Sequence, residues 1–218
     1  MNNTINTSYY EILGVLPEQL NAEHPSRRHL IETVAQHLVQ PERFSAAEYV
    51  SFDLNNILSY LRKSHVYYLE KKLPEINQNM HHLDQLFPGE RLFHILNAFF
   101  QQYQTLLIEH IEHEETTVFN YVDYLLKYRH LPSLDELNKF LLGNTSLNDF
   151  LANHTDTEND LSAMRQLLGS ADQYKQLHPI SLLLNQIASL ENHLNIHARI
   201  EDEVFIPKAM ELEEKLHM

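Results

Sequence analysis

The stretch that decides the fold is residues 179–207, PISLLLNQIASLENHLNIHARIEDEVFIP. Its apolar residues recur at alternating steps of three and four, at Ile180, Leu183, Ile187, Leu190 and Leu194, and the same steps continue through positions 197 and 201 to Val204. This spacing predicts a long amphipathic helix whose apolar seam faces the core of a helical bundle. His197 and Glu201 fall on the same seam, so an imidazole and a carboxylate are expected among apolar side chains.

Three earlier stretches, at about residues 45–79, 90–129 and 146–169, carry the same kind of seam. Each seam includes one histidine: His65, His110 and His154, respectively. The turn signals between the stretches are Phe87-Pro88-Gly89 and Gly143-Asn144, and Pro179 suits the first turn of the last helix. The predicted fold is therefore all-α, an up-down four-helix bundle over residues 45–218.

Residues 1–44 are predicted to form an N-terminal helical extension to this bundle. An amphipathic helix is expected from about Ser26 to Val39, with Pro41 closing it. The stretch at 45–79 contains Pro74 near its end, and the last helix contains Pro207, where we expect a kink or a local end.

Composition limits the classes of function. The 218 residues include no cysteine, which excludes disulfides, thiolate metal ligands and cysteine nucleophiles. A net charge of −14 without a basic stripe argues against binding to nucleic acid. No apolar run approaches the roughly 20 residues that span a bilayer, and no signal peptide is visible, so we expect a cytoplasmic protein that does not enter membranes.

A histidine followed four residues later by a glutamate occurs twice on these seams. The first copy is His110-Ile-Glu-His-Glu114 and the second is His197-Ala-Arg-Ile-Glu201. Residues four apart lie on one face of a helix, so each copy directs a nitrogen and a carboxylate to the same side. Because 45 residues separate His65 from His110 and 43 separate His154 from His197, the two halves resemble an internal duplication.

Six ligands from two similar halves suit two metal ions better than one. The six are His65, His110, Glu114, His154, His197 and Glu201. Imidazole and carboxylate without sulfur favour iron, with manganese or zinc as alternatives. Two other interpretations are a solvent-facing pair on a helix surface and a buried His–Glu hydrogen-bond network without metal.

Together these segments resemble the hemerythrin-like HHE cation-binding domain, and more narrowly the bacterial repair-of-iron-centres family. The matching segments are HVYYLEKKLP from His65, HIEHEETTVF from His110, His154 with Leu161, and HARIEDEVFIP from His197. The resemblance covers about residues 45–215. It implies a non-haem di-iron centre in which the four histidines are terminal ligands and Glu114 and Glu201 bridge the two ions. Unlike the repair proteins, which usually carry N-terminal cysteines, this chain has none.

The function that the resemblance implies is a role in nitrosative or oxidative stress, or in the repair of iron–sulfur clusters. The partners would be a small diatomic ligand, O2 or NO, and a protein that carries an iron–sulfur cluster. The alternative is a reversible O2 or NO sensor, or an iron-handling module without turnover. Enzymatic activity and oligomeric state stay open at this point.

Four further side chains are weighed as additional ligands or as groups around the site. Glu158 follows His154 by four residues, so it is a candidate third carboxylate or one side of a salt bridge. His82 and His94 precede the second ligand helix and are candidates for one end of the centre. His193 precedes His197 by four residues, and we expect it to flank the seam toward solvent.

Overall fold

The structure is a computed structural model that describes residues 25–128, 147, 161–170, 174 and 177–217. The described residues are helical and include no strand, which confirms the predicted all-α class. The α-helices are α1 Pro25–Val39, α2 Leu54–Tyr67, α3 Leu73–Leu86, α4 Arg91–Thr116, α5 Val118–Tyr128, α6 Leu161–Ser170, α7 His178–Ile200 and α8 Ile206–His217.

Helix α1 confirms the amphipathic helix predicted in the N-terminal extension. Its buried face contains Leu30, Ile31, Val34, Ala35 and Leu38. Pro41 opens a short 3₁₀ helix at Pro41–Arg43, since proline is tolerated at a helix start but not in its interior. The His37 Nδ1 lies 2.8 Å from the Tyr49 hydroxyl, so the packing continues across residue 44, where the sequence predicts the extension to end.

The first predicted bundle helix begins later than its seam suggests. A 3₁₀ helix occupies Ala46–Tyr49, and α2 starts only at Leu54. The start is fixed by Asp53, whose Oδ1 accepts a 2.8 Å hydrogen bond from the Asn55 backbone N–H. An aspartate at this position accepts a hydrogen bond from a backbone N–H that has no partner within the first helical turn. Asp53 therefore starts a helix better than Ser45 does.

Two π-helical turns interrupt the helices, each directly ahead of a proline. The turn Tyr68–Lys72 lies between α2 and α3, and the turn Glu201–Phe205 lies between α7 and α8. The backbone N–H of Leu73 donates to the Tyr68 carbonyl, and that of Ile206 donates to the Glu201 carbonyl. Pro74 and Pro207 follow immediately. In a regular α-helix, the proline ring would collide with a carbonyl of the preceding turn, and proline has no N–H to donate to it. The wider π turn removes this collision. The disruption predicted at Pro207 is thus a π turn.

The second predicted helix is divided at Thr117 into α4 and α5. The Thr117 hydroxyl donates to the His113 carbonyl at 2.5 Å, and the Thr116 hydroxyl donates to the Glu112 carbonyl at 2.6 Å. Hydroxyls that bond to carbonyls of the preceding turn compete with the backbone and bend helices. Two such bonds occur at consecutive positions at the break, where the Thr117 backbone N–H also donates to the His113 carbonyl at 3.0 Å.

The turn predicted at Phe87-Pro88-Gly89 is present, and the one predicted at Gly143-Asn144 lies outside the described residues. Helix α3 ends at Leu86, and Gly89 has a φ of 83°, a conformation that glycine adopts without a steric penalty. Helix α7 begins at His178, which places Pro179 in its first turn as expected. The third predicted helix is described only at Leu147 and Leu161–Ser170, so the four-helix arrangement stays a prediction.

The described residues belong to two compact units. The first contains residues 25–64, 112–128, 147 and 196–217, and the second contains residues 65–111, 161–170, 174 and 177–195. The core of the first includes an edge-to-face contact of the Phe119 and Phe205 rings at 5.4 Å. In the second, Phe87, Phe93 and Tyr174 form an aromatic cluster. Within the described ranges, no helix is long and apolar enough to cross a membrane.

Candidate metal centre

Three of the predicted ligands come together in the structure. His65 on α2, Glu114 on α4 and His197 on α7 each offer one ligand atom, and these atoms lie within 4.8 Å of one another. All three side chains are buried, with exposed fractions of 3%, 0% and 4%. Each residue comes from a different helix, and each lies on the inward stripe of its helix. Burial at this level means that the carboxylate charge of Glu114 requires compensation by a nearby cation or donor.

Glu201 adds a second buried carboxylate beside this group. It is the first residue of the second π turn, it is 1% exposed, and its Oε2 lies 3.8 Å from the His197 Nε2. That separation is longer than a hydrogen bond and shorter than twice a typical metal–ligand bond of about 2.1 Å. The pair therefore has a spacing that suits two ligands of one ion.

The other nitrogen of the His197 ring is held by a serine. The Ser64 Oγ lies 2.7 Å from the His197 Nδ1, and the Ser64 side chain is fully buried. The ring of Tyr60, one turn earlier on α2, lies 6.5 Å from the His197 ring. Burial raises the pKa of Tyr60 above its usual range, so its hydroxyl stays neutral beside the histidine.

Neither Ser64 nor Tyr60 was singled out by the sequence. Ser64 lies 133 residues from His197 along the chain, so no local spacing connects the two. In the sequence, Ser64 is notable only as the residue directly before His65, a predicted ligand. A serine at such a position is common on an amphipathic helix. This contact depends on the packing of α2 against α7.

Arg62 forms ion pairs with the helix that carries Glu114 and with the helix that follows it. Arg62 on α2 donates to Glu115 at 3.1 Å and to Asp123 at 2.5 Å, and its guanidinium lies 5.9 Å from the centre of the Phe119 ring. These contacts join α2 to α4 and α5 on both sides of the break at Thr117. Glu115 is the residue directly after the ligand candidate Glu114.

The remaining predicted ligands are placed differently. His110 is half-buried and does not belong to the three-residue group, although Glu114 of the same copy does. His154 lies outside the described residues, as does the candidate carboxylate Glu158. The structure therefore brings together His65, Glu114 and His197, and it places Glu201 beside His197 but outside that three-residue group.

The expectation for His193 was wrong. It does not flank the seam toward solvent but is 2% exposed, with its ring stacked on that of Tyr67 at 5.9 Å. The Tyr68 hydroxyl donates to the His193 carbonyl at 3.2 Å. Burial, aided by the positive charge of Lys72, lowers the pKa of His193 to about 3, so the ring is neutral at physiological pH. The Tyr67 ring therefore covers an imidazole that the hydropathy pattern placed at the surface, and Tyr68 bonds to the backbone of the same residue.

His82 and His94 lie away from the buried group. Both are exposed, and His94 forms a 3.5 Å ion pair with Asp84 when it is protonated. His82 lines an open groove of about 400 Å³ together with Glu75, Gln78, Asn79, His81, Gln85, Leu182 and Gln186. Their exposure and partners favour a solvated surface over a role in the centre.

The donor set fits a metal ion that accepts nitrogen and oxygen ligands. The two imidazoles and one carboxylate of the group, with the Glu201 carboxylate beside His197, match iron, manganese or zinc by ligand type. A cation compensates the buried carboxylates directly, which a neutral interior does not. The described residues thus provide a group that can hold a metal ion.

No family model matches the chain, and searches of curated proteins and of solved structures find no significant match. The function proposed below is therefore inferred from the residues and their geometry.

Proposed function

We propose that this chain is a non-haem iron protein whose centre is built on His65, Glu114, His197 and Glu201. The observation that supports it is the buried group of two histidines and a glutamate whose ligand atoms lie within 4.8 Å of one another. Glu201 extends the group, with its Oε2 3.8 Å from the His197 Nε2. His110 and His154 would complete the sites of two iron ions, in the manner of carboxylate-bridged pairs in helical proteins.

The role we propose is in nitrosative or oxidative stress, or in the repair of iron–sulfur clusters. A bound non-haem iron pair supplies one-electron chemistry and open coordination positions for a diatomic ligand such as O2 or NO. The residues of this chain contribute the rest. Glu114 and Glu201 balance the charge of the ions, and His65 and His197 bind through ring nitrogens.

The surroundings of the group restrict water and fix the ligands. Buried aromatic and aliphatic residues flank it on the same helices, including Leu61, Tyr60, Ile111 and Ile200. An apolar shell of this kind lowers the local dielectric and influences both redox potential and access to the ions. Small diatomic molecules pass through such a shell more readily than charged substrates do, which favours O2 and NO as ligands.

A reversible sensor is the second candidate function, and one contact favours it. Arg199 lies on α7 between His197 and Glu201, and its guanidinium is 4.1 Å from the centre of the Phe44 ring. Phe44 in turn packs on the His37 ring of α1 at 5.2 Å. A change at the ligands would reach α1 through these three side chains. Ligand-dependent hydrogen exchange in α1 would favour the sensor, and multiple turnover of NO or O2 would favour the redox protein.

The test of the iron centre is elemental analysis and optical spectroscopy after anaerobic reconstitution with ferrous iron. We expect about two irons per chain and, after oxidation, the absorption bands of an oxo-bridged ferric pair. One zinc, or no metal after reconstitution, would contradict the proposal and favour a buried polar network.

The two buried carboxylates provide the matching variants. Glu114→Ala and Glu201→Ala should each lower both iron content and the melting temperature of the reconstituted protein, because bound metal stabilises only the folded state. Saturation at 100 times the dissociation constant contributes about 2.7 kcal/mol to the free energy of unfolding. Glu112→Ala, an exposed glutamate on the same helix, is the control and should retain its iron. Unchanged iron in both test variants would remove these residues from the site.

A further inference from the structure

The hydrogen bonds of Ser64 determine where the hydrogen of the His197 ring lies. The Ser64 Oγ is 2.7 Å from the Leu61 backbone carbonyl and 2.7 Å from the His197 Nδ1. A serine hydroxyl carries one hydrogen, and a carbonyl oxygen only accepts. The hydrogen between Ser64 and Leu61 must therefore come from the serine, which donates to the carbonyl of the preceding turn.

With its hydrogen committed to Leu61, the Ser64 oxygen can only accept from His197. The Nδ1 of His197 must then carry the hydrogen, and the neutral ring has its lone pair on Nε2. Nε2 is the atom that lies 3.8 Å from the Glu201 Oε2. The serine thus directs the metal-binding nitrogen toward the buried carboxylate.

We propose that Ser64 is a positioning residue that fixes His197 in the Nδ1–H tautomer and so presents Nε2 to a metal ion. The inference rests on the proposed metal-binding function and extends it to a residue outside the ligand set. Metal-bound histidines generally donate their second ring N–H to an oxygen, and removal of that oxygen weakens metal binding by about 10–100-fold. Here the oxygen belongs to a hydroxyl whose own direction is fixed by α2.

Because both side chains are buried, water does not readily replace the Ser64 hydroxyl as the partner of His197 Nδ1. Ser64 is 0% exposed and His197 is 4% exposed, so water has little access to the Nδ1 side of the ring. Without the hydroxyl, Ser64 no longer offers an acceptor that favours a hydrogen on Nδ1 over one on Nε2. Part of the ring population would then present an N–H instead of a lone pair to the metal.

The first measurement is the tautomer of His197 in the full chain without metal, by ¹⁵N–¹H long-range correlation NMR on histidine-labelled protein. The His197→Gln variant identifies the resonances by their disappearance. We expect a protonated Nδ1 and an unprotonated Nε2 in the wild type, and a mixture of tautomers in Ser64→Ala. A single Nδ1–H tautomer retained in Ser64→Ala would overturn the proposal.

The second measurement is ferrous iron affinity against a competing chelator. Ser64→Ala should bind iron about 10–100-fold more weakly than the wild type, and Ser64→Thr, which keeps the hydroxyl, should recover most of the affinity. Ser59→Ala, a half-buried serine on the same helix, is the matched control and should bind as the wild type does. Alanine is smaller than serine and favours helix, so the test variant retains its fold.

The outcomes separate this inference from the function on which it rests. A wild type that binds iron, with Ser64→Ala binding equally well, would overturn the role of Ser64 and leave the metal centre intact. A wild type that binds no ferrous iron would overturn the proposed function, while the tautomer measured in the metal-free chain would still show whether Ser64 sets the ring.

Discussion

The two copies of the His-x3-Glu motif have the same spacing and different surroundings. In the second copy, His197 and Glu201 are both buried. In the first, Glu114 is buried but His110 is only half-buried. One turn before each histidine the contrast is greater, because Leu106 is 40% exposed whereas His193 is 2% exposed. Helical spacing places residues on a common side, but neighbouring helices decide which of them lose contact with water.

The physical source of the difference is the set of partners that each histidine meets. His197 has the Ser64 hydroxyl at 2.7 Å and the Tyr60 ring nearby, and His193 has the stacked ring of Tyr67. Polar side chains are tolerated in a core when their hydrogen bonds are satisfied. Burial of an imidazole therefore follows from partners on another helix, and the hydropathy of its own helix does not reveal them.

The largest effect is expected from alanine substitutions at the two histidines of the motif. His197→Ala should weaken ferrous iron binding by more than about 100-fold, because it removes a ligand from the buried group. His110→Ala should retain about half of the iron, because it affects at most one ion of the pair. Iron stoichiometry and chelator competition measure both. Equal loss of iron in the two variants would remove the distinction between the copies.

The second effect concerns the acid stability of the metal-free protein. The pKa of His193 is lowered to about 3 in the folded state, while an unfolded chain has a histidine pKa of about 6.5. Between these values the unfolded state binds the additional proton, so the folded state loses stability as the pH falls below about 6.5. The free energy of unfolding should drop by about 2 kcal/mol from this residue by pH 5.

His193→Phe tests that dependence, since a phenyl ring can stack on Tyr67 but does not titrate. Denaturant unfolding at pH 7.5 and pH 5, with a chelator present, should show a smaller loss of stability in the variant. His94→Phe is the control, because His94 is 59% exposed and should behave as the wild type does. The same acid sensitivity in His193→Phe as in the wild type would assign the effect to other groups.

The smallest effect on stability is expected at Thr117, which separates α4 from α5 after the first His-x3-Glu motif. Thr117→Ala removes the hydroxyl that donates to the His113 carbonyl and introduces a better helix former. The free energy of unfolding should rise by about 0.5 kcal/mol, with unchanged iron binding. Thermal unfolding with and without iron measures both quantities. A loss of iron would show that the bend after α4 positions Glu114.

Much of the helical organisation was predictable from the sequence. The apolar seams and the turn at Phe87-Pro88-Gly89 predicted both ends of α1 and the starts of α4 and α7 within about one residue, because these signals are local. The late start of α2 at Leu54 and the break at Thr117 were missed. Both depend on side chains that bond to backbone groups, Asp53 in one case and Thr117 in the other.

The candidate site was predictable in its residue types and only partly in its membership. His65, Glu114, His197 and Glu201 were named from their positions on the seams, and all four are buried. His110 was named by the same rule and is half-buried. The rule fails there because a seam position specifies a direction from the helix axis, whereas burial depends on how closely other helices approach.

The sequence by itself determined that the described chain is helical, that Pro207 disrupts the last helix, and that His65, Glu114, His197 and Glu201 face inward. These properties follow from the period of the α-helix and from the missing N–H of proline. Only the tertiary structure decided that Ser64 holds the His197 ring and that His193 is buried on Tyr67. Such contacts join residues more than 100 positions apart, and only packing brings them within bonding distance.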